Sequence, residues 1–262
     1  MQPGRALITG AAKRLGRAMA LDLARDGWSV AVHYNGSSDA AEQTAADVTA
    51  AGGRGVALGA DLLNEAATGA LVTRAAQALG GPLTLLINNA SIFENDGFAT
   101  MTRESWDRAQ ESNLRGPVRL VQTFAAQAPD PEVDAMGEPV ARAVVINMID
   151  QRVLKPTPHF LSYSLAKAAL HMFTRTAAQA LGPKIRTGAI GPGPTLVAER
   201  QSDEHFAKQR AACILRRGSD PEDIVAAMRF ILSCKAFTGQ MLAIDGGQHL
   251  AWQTPDMLGE PG

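Results

Sequence analysis

Tyr163 and Lys167 stand four residues apart in a stretch with helical periodicity, about 161–181. Residues at i and i+4 share a helix face, so the phenol and the ammonium come together. A free phenol has a pKa near ~10, too high to exchange a proton readily at neutral pH. A nearby ammonium stabilises phenolate and lowers that value. Tyr163 is thus a candidate general acid, and Lys167 its tuner. Such a pair also occurs by chance on many helices, so it needs company.

A second candidate lies near the start of the chain. Thr9-Gly10-Ala11-Ala12-Lys13-Arg14-Leu15-Gly16 joins an apolar strand to a helical pattern. Gly10 permits a tight turn, and Gly16 lets helix and strand approach. The helix N-terminus then offers unpaired N–H groups to a pyrophosphate. An NAD-type site places Asp or Glu at the end of the second strand, for the ribose 2′-hydroxyl. Here that strand ends His33-Tyr34-Asn35-Gly36-Ser37-Ser38, with no acid before Asp39. Arg14 and Ser37 suit a 2′-phosphate instead. The expected cofactor is NADP(H), held by Gly10, Arg14, Leu15, Gly16, His33, Tyr34, Ser37 and Asp61. His33 also reads as a packed strand residue.

Strand-like and helix-like patterns alternate from the first residues. Strands are expected near 6–9, 28–32, 55–58, 83–88, 143–147, 185–190 and 241–244. Helical patterns run from Leu15 to Leu23 and over 39–51, 64–79, 102–127, 161–181 and 221–233, with Asp39 and Glu42 spaced as a capping box. Seven apolar strands alternating with helices imply an α/β fold: one Rossmann-type, doubly wound parallel sheet with helices on both faces. Such a sheet makes residues 1–262 one domain. Pro129 to Pro139 reads as a surface loop. Residues 191–212 read as an irregular stretch at the ligand-binding edge that could form a lid.

Composition narrows the function classes. Of 262 residues, 46% are hydrophobic and 19% charged, enough for a sizeable core and unlike a disordered chain. Lys and Arg total 25 against 26 Asp and Glu, with no basic run, so neither a nucleic-acid groove nor a polybasic membrane patch is expected. No apolar run approaches the ~18–20 residues of a membrane span. Two cysteines, Cys213 and Cys234, form no CxxC pair, so no metal site or disulfide framework is expected. The start lacks the pattern of a secretory leader. A cytoplasmic protein is expected.

The motifs together resemble the short-chain dehydrogenase/reductases. The resemblance runs from Arg5 to about Gly247. It rests on the glycine loop at 9–16, Asn88-Asn89-Ala90 after the fourth strand, Asn113 in a helix, Tyr163 with Lys167, Gly191-Pro192-Gly193 after the sixth strand and Asp245-Gly246-Gly247 after the last. The resemblance implies that Asn89, Ala90, Pro192 and Gly193 contact the cofactor. It also implies that Lys167 holds the nicotinamide ribose and that Asn113 anchors a water linking Lys167 to solvent. Homotetramers built through long helices, here 102–127 and 161–181, are implied too. Leu161, Leu165, Ala168, Ala169, Met172 and Phe173 could serve that interface or the core. His249, Trp252 and Gln253 could reach a neighbouring subunit's site or cover their own.

Two departures from the family pattern are informative. Arg14 replaces the middle glycine of the loop. Asp150, thirteen residues before Tyr163, replaces the usual serine. A hydroxyl donates to a carbonyl oxygen and steadies a developing alkoxide, whereas an ionised carboxylate cannot donate and repels that charge. Asp150 therefore suits a substrate with N–H groups, or one whose ring nitrogen gains a proton as hydride reaches the adjacent carbon. Both departures, and Asn89-Ala90-Ser91-Ile92-Phe93, resemble the pteridine reductase branch. There the serine contacts cofactor and pterin, and the phenylalanine stacks on the pterin; those roles fall on Ser91 and Phe93. Gly36 stands where that branch often has arginine, which weakens the 2′-phosphate site. The expected catalytic set is Asp150, Tyr163, Lys167 and Asn113, with Ser91, Phe93, Asp150 and Tyr163 around a small pterin substrate. A carbonyl or 3-oxoacyl thioester reductase is the alternative chemistry. A non-catalytic NADP sensor is the alternative of another class.

Overall fold

The computed structural model describes residues 1–197 and 201–252. In chain order the elements begin β1 (Arg5–Ile8), α1 (Arg14–Arg25), β2 (Ser29–Tyr34), α2 (Ser38–Ala50), β3 (Arg54–Gly59), α3 (Glu65–Leu79) and β4 (Leu85–Asn88). Then come α4 (Arg103–Gln110), α5 (Gly116–Gln127), β5 (Glu132–Val133), β6 (Pro139–Val140) and β7 (Ala143–Met148). The chain continues with α6 (Leu161–Leu181), β8 (Ile185–Pro192), α7 (Asp203–Ala211), α8 (Pro221–Ser233) and β9 (Met241–Ile244).

Seven strands form one parallel sheet in the order β3-β2-β1-β4-β7-β8-β9. Neighbouring residues of each strand point to opposite faces, so both faces must be covered. Ile8, Ile87, Ile146 and Ile190 face one side, against Met19 and Leu23 of α1 and Ile224, Met228 and Ile231 of α8. Leu7, Leu86 and Val145 face the other, against Leu71 of α3 and Leu120 and Phe124 of α5. Each fully buried aliphatic side chain of this kind is worth roughly 1.5–3 kcal/mol. Strand order reverses between β1 and β4, which opens a crevice beyond their C-terminal ends.

Four expectations are corrected. The helix expected over 102–127 is broken by a π-helical turn at Glu111–Arg115. Pro117, in the first turn of α5, has no N–H for the carbonyl of Asn113 four residues earlier. The Asp39/Glu42 capping box is absent: Ser37 is the N-cap of α2, makes no side-chain cap bond, and Asp39 lies in the first turn. A carboxylate there complements the helix dipole without capping. The stretch 129–139 is not a plain loop, because β5 and β6 pair as an antiparallel hairpin. The irregular stretch over 191–212 contains α7, capped by Ser202, whose hydroxyl accepts from the His205 N–H.

Candidate active site

The glycine loop sits at the C-terminal end of β1. Gly10 has φ +62°, and a Cβ there would lie 3.0 Å from Cα of Ala90. At Gly16 a Cβ would lie 2.5 Å from the Gly10 carbonyl oxygen and 2.7 Å from Asn89 Nδ2. Asn89 pins the turn by donating from Nδ2 to the carbonyls of Thr9 (2.8 Å) and Gly10 (3.1 Å). The N–H groups of Asn89 and Ala90 both donate to Thr9 Oγ1 at 2.9 Å. α1 then begins with no acid in its first turn and no side-chain cap. Its N–H groups and dipole are left open to an anion, so this cradle fits a pyrophosphate.

Arg14 and His33 both make hydrogen bonds within the protein. Arg14 adopts φ +55°, a backbone conformation that explains why a glycine could stand there. Its guanidinium donates to the carbonyls of Val197 (2.8 Å) and Leu196 (3.3 Å), in the segment after β8. These bonds tether the segment after β8. His33 is 1% exposed and uses both ring nitrogens within the protein. Nδ1 accepts from the Gly10 N–H at 3.1 Å, which leaves Nε2–H to donate to the Ala60 carbonyl at 3.0 Å. Burial lowers its pKa to about 4, so it is a neutral pin between the turn and the end of β3, in keeping with its reading as a packed strand residue.

The acid–base centre lies on the β4–β7 side of the crevice. Tyr163 and Lys167 share the buried face of α6. Tyr163 Oη donates to Asp150 Oδ2 at 2.8 Å, and the Arg152 backbone N–H donates to Asp150 Oδ1 at 2.8 Å. The carboxylate points inward, its side chain 18% exposed. Burial raises the Asp150 pKa. Tyr163 is pushed well above its ordinary value, by burial and then by the adjacent carboxylate. That direction is opposite to the lowering expected of Lys167. The Lys167 ammonium instead donates to the Met148 carbonyl at 2.7 Å, and burial lowers its pKa to about 8.

The π-turn places Asn113, fully buried, under this centre. Its Nδ2 donates to the carbonyls of Ile92 (3.0 Å) and Ala109 (3.1 Å), and its Oδ1 accepts from Ser91 Oγ at 2.6 Å. Phe93 stands edge-on to Tyr163, with ring centroids 4.8 Å apart. One of its faces is already stacked on Phe160, at 4.2 Å and 4° between planes. A planar ligand on Phe93 takes the other face or displaces Phe160. Pro192 and Gly193 follow at the end of β8, against Asp245. Asp61 is exposed just after β3, where its Oδ1 accepts from the Leu63 N–H, and Tyr34 closes β2. Leu15 lies in the first turn of α1. Asp245 accepts from the His249 backbone and ring, and Lys155 donates to the Ala251 carbonyl, so the start of the tail is tied to its own subunit. Trp252 is exposed. Gln253 lies outside the described residues.

Three site-forming residues escaped sequence reasoning. Asp96 accepts from the Ser162 N–H (3.0 Å) and from the hydroxyls of Ser162 and Ser105, which anchors the start of α6. Burial alone would raise its pKa, but these hydrogen bonds hold it low. Phe160 is the N-cap of α6 with φ +57°. The Arg152 guanidinium lies at the edge of the Phe93–Phe160 stack. Asp96 and Ser162 are 66 positions apart, so no local pattern joins them. No metal-ligating cluster of three or more His, Cys, Asp or Glu occurs among the described residues, and no helix among them is long and apolar enough to cross a membrane.

A glycine cradle at β1, a buried Tyr–Lys pair on α6 and a buried asparagine in a broken helix define an oxidoreductase class, and comparison with known proteins agrees. A family model described as enoyl-(acyl carrier protein) reductase matches residues 10–249. The short-chain dehydrogenase/reductase eriH of Hericium erinaceus is 32% identical over 254 residues, covering 94% of this chain and 97% of that protein. The chain belongs to the short-chain dehydrogenase/reductase family. Among curated relatives, the 3-oxoacyl-[acyl-carrier-protein] reductase FabG of Staphylococcus epidermidis is 28% identical, covering 94% and 98% of the two chains. Among solved structures, FolM alternative dihydrofolate reductase 1 from Brucella canis, complexed with NADP, is 41% identical with TM-score 0.90, covering 98% of each chain. The same-named protein from Brucella suis, also with NADP, is 42% identical with TM-score 0.88, covering 96% and 97%.

Proposed function

We propose that this protein is an NADPH-dependent reductase of a pterin-type C=N heterocycle, such as a dihydropterin or dihydrofolate-like substrate. The Tyr163–Asp150 hydrogen bond carries the reading. The likeness to the NADP-bound dihydrofolate reductase structures supports it. Bound NADPH would supply hydride to the ring carbon. The ring nitrogen then carries the electron pair of the C=N bond and takes a proton from Tyr163 Oη. That nitrogen is far more basic than phenolate, so an elevated phenol pKa still permits the transfer. Asp150 orients the phenol and accepts from substrate N–H groups. Beside a developing alkoxide the same carboxylate would be unfavourable.

The cofactor would lie with its pyrophosphate on the α1 N-terminus and its ribose on Lys167, while Asn113 and Ser91 shape the nicotinamide end. Ser37, whose hydroxyl makes no cap bond, would face the 2′-phosphate. We further propose a homotetramer through α4–α5 and α6, where Leu165 and Met172 are exposed. Free Cys213 and Cys234 are consistent with a reducing, cytoplasmic setting. The FabG relatives favour a second reading, a 3-oxoacyl thioester reductase. Steady-state NADPH oxidation with dihydrobiopterin and with an acetoacetyl thioester separates them. The proposal expects turnover with the pterin and at most traces with the thioester; the reverse would overturn it.

A further inference from the structure

Arg152 is the unexplained charge of this site. Its side chain is 19% exposed, yet no hydrogen bond from its guanidinium to any described residue is formed. Among the described residues the acid beside it is Asp150, with Nε 3.8 Å from Oδ2, beyond hydrogen-bond range. Asp150 already accepts from Tyr163 and from the Arg152 backbone. The guanidinium carbon lies 4.8 Å from the Phe160 ring centroid and 5.4 Å from that of Phe93. With the two rings parallel and 4.2 Å apart, those distances put the guanidinium at the edge of the stacked pair, which leaves its donors open. Phe160 keeps φ +57°, unfavourable for a bulky residue, while forming this shelf. The guanidinium thus presents five N–H donors that no described residue accepts from and that remain open to solvent and to a ligand.

We infer that Arg152 reads an acidic substituent, a carboxylate, carried on the heteroaromatic substrate. A planar guanidinium binds a carboxylate through two parallel hydrogen bonds, which matches the donors left open. The inference rests on the pterin reading and adds which pterins the site prefers. Arg152 lies beside Phe93 and Asp150, so the anion it binds hangs from a ring already placed at Tyr163. Neutral pterins gain nothing from it.

The test compares wild type, Arg152→Gln and Arg152→Lys with dihydrofolate, which bears glutamate carboxylates, and dihydrobiopterin, which bears none. Arg152→Gln should raise KM for dihydrofolate about tenfold or more relative to KM for dihydrobiopterin, while any change in kcat, from the charge lost beside Asp150, is shared by both substrates. Arg152→Lys should recover part of the loss, since it restores charge without the fork. Equal loss on both substrates would mean that Arg152 acts only through Asp150, and would overturn the inference, as would no change on either. Equilibrium binding of 4-aminobenzoylglutamate to the NADP⁺-loaded enzyme is the second readout. If wild type reduces neither pterin, the proposed function fails by itself. Arg152 is then judged by whether Arg152→Gln abolishes that binding or leaves it intact.

Discussion

At the scale of single residues, the acid–base centre is a contest between two charges around one phenol. Lys167 would draw the Tyr163 pKa down, but its ammonium is engaged by the Met148 carbonyl. Asp150 touches the phenol directly and, with burial, drives its pKa up. Proton transfer through Tyr163 predicts that Tyr163→Phe lowers kcat by about 10²–10⁴-fold while NADPH affinity, read by fluorescence titration, changes little. The pH profile follows from the two neighbours. Lys167 loses its proton above pH about 8, so KM for NADPH should rise there in wild type. Lys167→Ala should have a high KM at every pH and no such rise. On the acid side, protonation of Asp150 should appear above the ordinary carboxylate range, because burial raises it, and should vanish in Asp150→Asn. The types and spacing of Tyr163, Lys167 and Asp150 were legible in the sequence. The direction of the phenol shift was not, because it depends on which neighbour makes the hydrogen bond.

Between elements, the site is held by polar pins that span long distances in sequence. Asn88 donates to Asn147, and Asn147 to Thr174, which ties β4, β7 and α6 together beneath Asp150 and Tyr163. Asp96 anchors the start of the same helix. Strand and helix periods gave no sign of these pins, whereas they did locate α6 and all seven sheet strands. His33 joins the turn after β1 to the end of β3 as a neutral ring. Its folded pKa of about 4 lies below the ordinary 6.5, so the unfolded chain binds the proton first as pH falls. Stability is therefore full above pH 6.5 and is lost progressively down to about 4. At about 1.4 kcal/mol per pH unit this amounts to roughly 3 kcal/mol, and urea titrations of His33→Leu should lack that part of the slope. Arg14 has a left-handed backbone and a tether to the segment after β8, neither of which its charge announced in the sequence. Arg14→Gly should leave the preference for NADPH over NADH within about threefold, since it relieves a left-handed residue and removes only the tether. A tenfold fall would place Arg14 on the 2′-phosphate after all.

For the whole molecule, the crevice follows from strand order. The reversal between β1 and β4 brings the glycine turn, the segment from Asn89 to Phe93 and the end of β7 to one edge of the sheet. Uninterrupted apolar runs such as Leu85-Leu86-Ile87 made that sheet legible, because a strand buried on both faces has no polar side to show. The outward face of α6 was only half legible. Leu165 and Met172 are exposed, whereas Leu170 is buried in the core. Apolar spacing alone does not divide core from interface. If these residues form an interface, light scattering should give four times the 27.6 kDa of one chain, and Leu165→Glu with Met172→Glu should lower it. An unchanged mass would move the contact elsewhere.

The central claim is that a carboxylate beside the phenol commits the pocket to ring nitrogen and away from carbonyl oxygen. The most direct measurement is the ratio of kcat/KM for dihydrobiopterin to that for an acetoacetyl thioester, taken in wild type and in Asp150→Ser. The account predicts a ratio that favours the pterin in wild type and falls by about 10²-fold or more when the hydroxyl replaces the acid, because a donor then meets the alkoxide. A ratio that stays the same, or rises, would contradict it.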